Sequence, residues 1–389
     1  MTKVLIAGTF DIIHPGHINF IKQAEAWGDF LIIIIGRDQN VIKAKGRAPY
    51  YNEEQRFKNL DDFLKSKTSK GYKLMLGDLN DPYKIIKEEK PEMVALGYDQ
   101  QYHFNGLHQL LINSKLTFKI QRLEPFKEDV CKSKNLRNAV EDENAGFLLI
   151  NKDGGWTSHD AVVKLRGLTG IRQIGHTGTL DPFATGLLIC AISSATKMVG
   201  QFDLLSKVYE ATIKIGITSD TYDRTGKINN YQPRANDPRP IFNQEKIQEI
   251  LQTFIGRQKQ LPPMFSAKKV LGQKLYELAR KGQEILRKPS EIEIFSIELL
   301  NFNHQSSLID LRIKCSTGTY IRSLAYDLGQ KLDTGAVLWE LKRTAIGEFN
   351  VKDAYNLDQI TSDNWPKHLI KPLAAIEKIN ESYGRSVWQ

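Results

Sequence analysis

The chain has 389 residues, 41% of them hydrophobic and 25% charged, with a formal net charge of +9. Such a length gives two or three packed domains. The longest aliphatic stretch, Phe30 to Ile35, is far short of the roughly 20 residues a membrane span needs, so no membrane partner is expected. Three scattered cysteines, Cys131, Cys190 and Cys315, argue against a disulfide framework and against a zinc site. The N-terminus runs straight into Val4-Leu5-Ile6 with no leader pattern, and the expectation is a cytoplasmic protein.

Residues 3–8 read as a buried strand, followed by a turn at 9–17 and a helix from about Gly16 to Trp27. Phe30 to Gly36 is a second all-apolar strand. Helical patterns recur near 53–66, 82–90 and 106–113, with strand-like runs near 72–76, 93–97 and 117–121. This alternation predicts a Rossmann-like, doubly wound parallel sheet, which binds ligands at the carboxyl ends of its strands. The turn carries His14 and His17, with Gly16 between them. Imidazoles at a helix N-terminus, beside free N–H groups, suit phosphate chemistry. A zinc site would want a third ligand, and no cluster of protein ligands for a metal is evident.

The turn Gly8-Thr9-Phe10-Asp11-Ile12-Ile13-His14-Pro15-Gly16-His17 resembles the signature of the cytidylyltransferase-like nucleotidyltransferases. The resemblance continues through Gly36-Arg37-Asp38, Lys43 to Arg47, Glu53 to Arg56 and Leu96 to Gln100. These later pieces look most like archaeal-type FAD synthetases, with glycerol-3-phosphate cytidylyltransferases as the alternative. The family implies attack by an acceptor phosphate (FMN, or else glycerol 3-phosphate) on a nucleoside triphosphate (ATP or CTP) with Mg²⁺. It implies that Thr9, Phe10 and Asp11 belong to the site and that His14 and His17 stabilise the transition state. Lys43 or Lys45 would hold phosphate, and Asp99 would lie near nucleotide or metal. The family's second phosphate motif is matched only imperfectly by Lys132-Ser133-Lys134-Asn135-Leu136. Ser133 is either a phosphate donor or a helix cap.

The acidic stretch Glu141 to Gly146 reads as a linker, dividing residues 1–143 from 144–389. The first part has 22 Lys/Arg against 20 Asp/Glu, the second 32 against 25. Arg257 to Lys288 concentrates nine basic residues against two acids, which suits either a nucleic-acid backbone or a solvated lysine-rich face. Phe147 to Ile150 forms a short strand, and Thr157 or Ser158 caps a following helix. Val208 to Gly216 and Ile309 to Cys315 alternate as half-buried strands. Ahead of these two strands lies His176-Thr177-Gly178-Thr179-Leu180-Asp181-Pro182-Phe183-Ala184-Thr185-Gly186, with Asp181 its lone acid. By itself this is either a turn capped by Asp181 before Pro182 or a carboxylate kept for chemistry.

The unbroken run Gly175 to Gly186 resembles the catalytic loop of the TruB family of tRNA pseudouridine synthases. That family opens with a segment matched by Leu148 to Ser158, Lys152 included and Asp153 in place of the usual proline. Tyr209, the segment Pro262 to Tyr276, and Cys315-Ser316-Thr317-Gly318-Thr319-Tyr320-Ile321-Arg322 match its later motifs. The resemblance implies a mixed, largely antiparallel sheet and isomerisation of uridine 55 in tRNA without a cofactor. Asp181 would be the nucleophile and Arg322 its partner, lowering its pKa. Tyr209 would stack on the flipped uracil, and His176 would help to displace the base. Lys152, Ser266, Lys268, Lys269, Lys274 and Tyr320 would hold RNA. Few residues follow Pro372 for an appended RNA-binding domain.

Overall fold

The computed structural model describes residues 1–68, 70–100, 102–114, 116–231, 243–265, 269–270, 273–274 and 287–388. Two compact units emerge. The first holds Met1–Gly146, Ser193–Gln201 and Ile370–Gln389, the second Phe147–Ile192 and Phe202–Leu369. A single boundary at 143/144 is too simple, because two later segments return to the first unit. Asp142 holds one of them, accepting from Ser193 Oγ (2.7 Å) and Ser194 Oγ (2.6 Å). The other is the C-terminal helix.

In the first unit, strands β1 (Lys3–Gly8), β2 (Phe30–Ile35), β3 (Gly71–Leu76), β4 (Met93–Leu96) and β5 (Lys119–Arg122) form a parallel sheet ordered β3-β2-β1-β4-β5. Alternate residues of the apolar strands enter two cores. Val4, Ile6, Leu31 and Ile33 face one side, Leu5, Ile32 and Ile34 the other. That is why these strands read as continuous hydrophobic runs. Helices α1 (Pro15–Glu25), α2 (Asp38–Lys45), α3 (Glu53–Lys67), α4 (Lys84–Glu89), α5 (Tyr102–Asn113) and α6 (Ser133–Glu141) accompany the sheet. Helix α2 buries only Val41, so no apolar period marks it in the sequence. The strand order reverses between β1 and β4, and their carboxyl ends define the switch point. Gln100 ties the two ends together, donating to the Ala7 carbonyl (2.8 Å) and accepting from Gly97 N–H (3.0 Å).

The second unit is built on β6 (Gly146–Lys152), β7 (Ile174–His176), β8 (Thr185–Ile192), β9 (Lys207–Ile215), β10 (Ile217–Ser219), β11 (Ile228–Asn230), β12 (Gly256–Gln260), β13 (Lys269–Val270), β14 (Gln273–Lys274), β15 (Ser290–Asn303), β16 (Leu308–Cys315), β17 (Ala336–Ile346) and β18 (Phe349–Asn350). The main sheet runs β12-β15-β16-β9-β17-β8-β6, with β7 on β8 and β18 on β17. The β17–β8 pairing is parallel, while β9, β12, β15, β16 and β17 pair antiparallel. Ile309, Leu311, Ile313 and Cys315 point into the core, which gives β16 its alternating sequence. Helices α7 (Ser158–Thr169), α8 (Gln244–Gln252) and α9 (Ile321–Lys331) belong to this unit, and α10 (Pro372–Trp388) to the first. No helix among the described residues is long and apolar enough to cross a membrane. All three cysteines are free.

Candidate functional site

Each unit gathers its own constellation of polar groups. In the second unit, Asp181 lies in the loop between β7 and β8. Several backbone contacts shape that loop. Ser158 Oγ, buried in the first turn of α7, accepts from Leu180 N–H (2.9 Å), and Pro182 carbonyl accepts from Gly155 N–H (2.8 Å). At Gly186, φ is +99° and a Cβ would sit 2.3 Å from the Arg343 carbonyl, so only glycine lets β8 leave the loop this way. The Asp181 carboxylate meets Arg322, at the start of α9, in a two-pronged pair: Nε donates to Oδ2 (2.9 Å) and Nη2 to Oδ1 (2.8 Å). Arg322 is 5% exposed. It also donates to the carbonyls of Phe265 (2.9 Å) and Thr221 (3.4 Å), and Asp223 lies 3.6 Å away.

The pKa of Asp181 is raised, not lowered as the arginine alone would have it. Burial is the largest influence and acts upward; Arg322 opposes it, and Asp223 adds a further upward push. Desolvation of a carboxylate outweighs one cation that is itself shared with a second acid. Asp223 otherwise fixes its own turn, accepting from Thr225 Oγ1 (2.6 Å) and Thr221 Oγ1 (2.8 Å).

Tyr209 sits on β9 opposite Arg343 of β17, and burial raises its phenol pKa. Arg343 is 2% exposed; the stretch Leu338 to Arg343 that it ends resembles a closing segment of the family, but the sequence does not say what this cation holds. Its Nε donates to the Leu187 carbonyl (2.8 Å) and its Nη2 to the Gly178 carbonyl (3.0 Å), so it clamps β8 and the Asp181 loop beneath Tyr209. His176 Nδ1 accepts from Gly178 N–H (3.3 Å). Burial, then Arg343 and His159, lower its pKa, and accepting at Nδ1 places a ring proton on Nε2.

Lys152 requires a correction. It is fully buried, and its ammonium donates to the carbonyls of Trp156 (2.7 Å), Asp153 (2.8 Å) and Pro182 (3.3 Å). Three donors meet three acceptors, leaving none for an RNA phosphate. Burial lowers its pKa to about 8. Lys152→Met is expected to destabilise this unit by about 3 kcal/mol, since three buried carbonyls lose their partner. The variant should leave the salt dependence of RNA binding unchanged. A shallower salt slope with unaltered urea unfolding would restore the phosphate role. Tyr320 caps the approach to α9, its backbone N–H donating to Gln260 Oε1 (2.8 Å) and its carbonyl accepting from Gln260 Nε2 (3.0 Å). Ser266 and Lys268 lie outside the described residues, as do the side chains of Lys269 and Lys274, whose backbones form the β13–β14 hairpin.

In the first unit, the turn after β1 meets the N-termini of α1 and α6. His14 is the N-cap of α1: its Nδ1 accepts from Gly16 N–H (3.1 Å). That bond leaves the ring proton on Nε2, 2.9 Å from Ser133 Oγ, which accepts it and keeps its own hydroxyl proton to donate. The imperfectly matched segment is thus brought against the first histidine, with Ser133 opening α6. The His14 and His17 rings stack at 3.9 Å. A Cβ on Gly16 would lie 2.9 Å from the His14 ring, which explains the glycine between them. Lys45 Nζ donates to Thr9 Oγ1 (2.9 Å), whereas Lys43 is exposed on α2. Asp99 is exposed, and its charge and that of Asp11 oppose the lowering of the Lys45 pKa by burial.

Phe10 and Asp11 both shape the turn. Phe10 is 1% exposed, held at φ +46°, and backs the His17 ring at 5.4 Å. Asp11 spends its carboxylate on the N–H groups of Tyr50 (2.8 Å) and Tyr51 (2.9 Å). Arg56, fully buried, donates to the carbonyls of Thr9 (2.5 Å) and Gly36 (2.6 Å) and to Asp38 (2.7 Å), fastening the ends of β1 and β2. Its motif was visible in the sequence; its burial was not.

Both histidines are held neutral. Burial and then His17 push His14 well below its ordinary value; burial and then Lys45 bring His17 to about 4, against a weaker upward pull from the Ile12 backbone. Between about pH 4 and the unfolded value near 6.5 the unfolded chain binds more protons. Stability of this unit is therefore full above about pH 6.5 and falls as pH drops towards 4, by about 3 kcal/mol at most for His17. Amide exchange in β1 and β2 across that range reads it; flat protection would refute the neutral pair.

Comparison with known proteins follows this division. Residues 5–139 match the cytidylyltransferase-like family, residues 166–321 the TruB family pseudouridylate synthase N-terminal domain, and residues 322–376 the tRNA pseudouridylate synthase B C-terminal domain. Over 227 residues the chain is 43% identical to the tRNA pseudouridine synthase B of Clostridium kluyveri, covering 58% of this chain and 75% of that one. It is 40% identical over 235 residues to that of Aquifex aeolicus, covering 60% and 79%. Among solved structures, a Cbf5-Nop10-Gar1 complex aligns at a TM-score of 0.45 and 24% identity over 64% of each chain. The class is thus a pseudouridine synthase, an isomerase, joined to a cytidylyltransferase-like domain. The chain belongs to the TruB family.

Proposed function

We propose that the second unit converts uridine 55 of tRNA to pseudouridine and that the first unit transfers a nucleotidyl group from ATP or CTP to a phosphate-bearing acceptor, FMN in preference to glycerol 3-phosphate. The observation that carries the first part is the pairing of half-buried Asp181 with buried Arg322 beside Tyr209. A base inside a folded loop must be extruded before it can react. His176, a neutral donor at the end of β7, would fill the space the base leaves. Tyr209 would stack on the uracil. Asp181, oriented by both prongs of Arg322, would attack the ribose C1′ or the base C6, or take a ribose proton; the uracil then turns and rejoins through C5. The carboxylate is oriented yet desolvated, which favours its reaction over its resting as a solvated ion. Carbodiimide treatment and primer extension on a tRNA transcript test this reading, and an unmodified position 55 refutes it.

For the first unit, the supporting observation is the neutral histidine pair with Ser133 and Lys45 at the β1–β4 switch point. A neutral His17, and the Ser133 hydroxyl that His14 orients, can donate to phosphate oxygens without forming tight ground-state ion pairs, so their contribution grows as charge develops in the transition state. Lys45 would hold the β/γ-phosphates. Mg²⁺ usually takes one or two carboxylates and completes its shell with phosphates and water. Asp99 fits that pattern; Asp11, already engaged by two N–H groups, does not. The test uses the full chain with Mg²⁺, ATP or CTP, and FMN or glycerol 3-phosphate in separate reactions. Pyrophosphate release with FMN supports the preferred acceptor, release with glycerol 3-phosphate replaces it, and release with neither removes both.

A further inference from the structure

Residues 377–388 fall beyond the three family matches, the last of which ends at residue 376. They are nonetheless fitted to the first unit. Helix α10 buries Pro372, Ala375, Ile376, Ile379 and Tyr383, a stripe at helical spacing. Ile18, Ile21 and Ala24 of α1 are buried, while Asn19, Lys22 and Glu25 of that helix meet α10. Asn19 Nδ2 donates to Tyr383 Oη (3.4 Å), Trp388 Nε1 donates to Glu25 Oε2 (3.0 Å), and Lys22 lies 5.2 Å from the Trp388 ring centre. Phe63 and Phe126 flank this face, 6.0 Å from Trp388 and 5.6 Å from Tyr383.

One contact reaches the phosphate turn itself. Asn380 Nδ2 donates to the Ile13 carbonyl at 2.8 Å. That carbonyl immediately precedes His14, and the helical bonds of α1 begin one residue later, at the His14 carbonyl. A carbonyl partner assigns the NH₂ side of the amide to this position. A turn earlier on α10, Glu377 lies near enough to Tyr51 for its charge to act on that phenol. Burial, then Tyr50, then Glu377 raise the Tyr51 pKa. Tyr51 is one of the two residues whose N–H groups hold Asp11. The helix therefore bonds one arm of the turn, at Ile13, and sets the Glu377 charge towards the segment that Asp11 grips.

We infer that α10 is a working part of the nucleotide site, with Asn380 a positioning residue that fixes the Ile13–His17 turn for a nucleoside triphosphate. The inference rests on the nucleotidyltransferase reading of the first unit and adds to it a residue drawn from the far end of the chain. A fragment ending at residue 143 would lack this support.

The test compares the full chain with Asn380→Ala, with the isosteric Asn380→Asp, which sets an oxygen against the Ile13 carbonyl, and with Glu381→Gln as a surface control. Binding of ATP and CTP with Mg²⁺ should weaken about tenfold in Asn380→Ala, in keeping with a half-buried acceptor left without its partner, and further in Asn380→Asp. Amide exchange at Gly16 to Ile18 should quicken, while β1 and β2 keep their protection and a tRNA transcript is modified at the parent rate. Unchanged exchange at the turn overturns the inference, as does unchanged nucleotide affinity with faster exchange. If the parent chain binds neither nucleotide, the nucleotidyltransferase reading fails. The exchange result then decides by itself whether Asn380 positions the turn.

Discussion

Asp181→Asn abolishes pseudouridine formation, with an expected loss on the order of 10⁴-fold or more, the scale seen when a nucleophile is removed from an otherwise intact site. The amide keeps the shape of the carboxylate and can still accept from Arg322, but it offers no nucleophilic oxygen. The variant should fold. Arg322 retains the carbonyls of Phe265 and Thr221 and the charge of Asp223, so its guanidinium is not stranded, and the stability cost should stay near 1–3 kcal/mol instead of the larger penalty of an uncompensated buried charge. Binding of tRNA should persist, because the change removes no positive group. Turnover within tenfold of the parent would remove Asp181 from the chemistry. Lost turnover with lost tRNA binding would point to a collapsed loop, and urea unfolding separates the two cases. Arg322→Met should fare worse in stability, since it leaves buried Asp223 and half-buried Asp181 without their shared cation.

His17→Ala should slow pyrophosphate release by about 10²–10³-fold while changing nucleotide affinity only a little, because a neutral donor contributes most where charge develops. The effect belongs in kcat more than in KM. His14→Ala removes more. His14 also caps Gly16 and donates to Ser133, so this variant should lose α1 capping energy of about 1 kcal/mol as well. Ser133→Ala leaves both rings in place and should cost only about tenfold, through the loss of one hydroxyl. The ordering separates the roles. If Ser133→Ala were as damaging as His17→Ala, the serine would be a principal phosphate ligand, and the histidines would be its scaffold. If His17→Ala released pyrophosphate within threefold of the parent, the stacked pair would have no part in the transfer.

Much of this protein was legible in its residues. The apolar runs Val4 to Ile6 and Leu31 to Ile35 could be satisfied only by a strand covered on both faces, and the helices between them required parallel neighbours. Ile309, Leu311, Ile313 and Cys315 could lie on one face only as a strand. Asp181, Arg322, His14 and His17 stood out because the stretches that hold them resemble family motifs; spacing alone left Asp181 either a turn cap or a reactive acid. Helix α2, with one buried position, and α10, whose stripe faces a helix more than 340 positions away in sequence, had no local signal strong enough to place them.

Tertiary structure decided what each polar group is free to do. Lys152 looked like a cation for RNA, but three carbonyls converge on its ammonium. Asp11 read only as part of the phosphate turn, and packing shows its carboxylate holding the N–H groups of Tyr50 and Tyr51. Arg343 and Arg56 gave no sign in the sequence of what they hold, yet burial makes them the fasteners of the two turns. The direction of the Asp181 pKa could not follow from its partner's identity, because burial opposes the arginine and only coordinates show which prevails. Composition and periodicity determine which surfaces must be hidden, since the hydrophobic effect acts residue by residue along the chain. Which donor meets which acceptor depends on groups far apart in sequence, and that is settled only when the chain has packed.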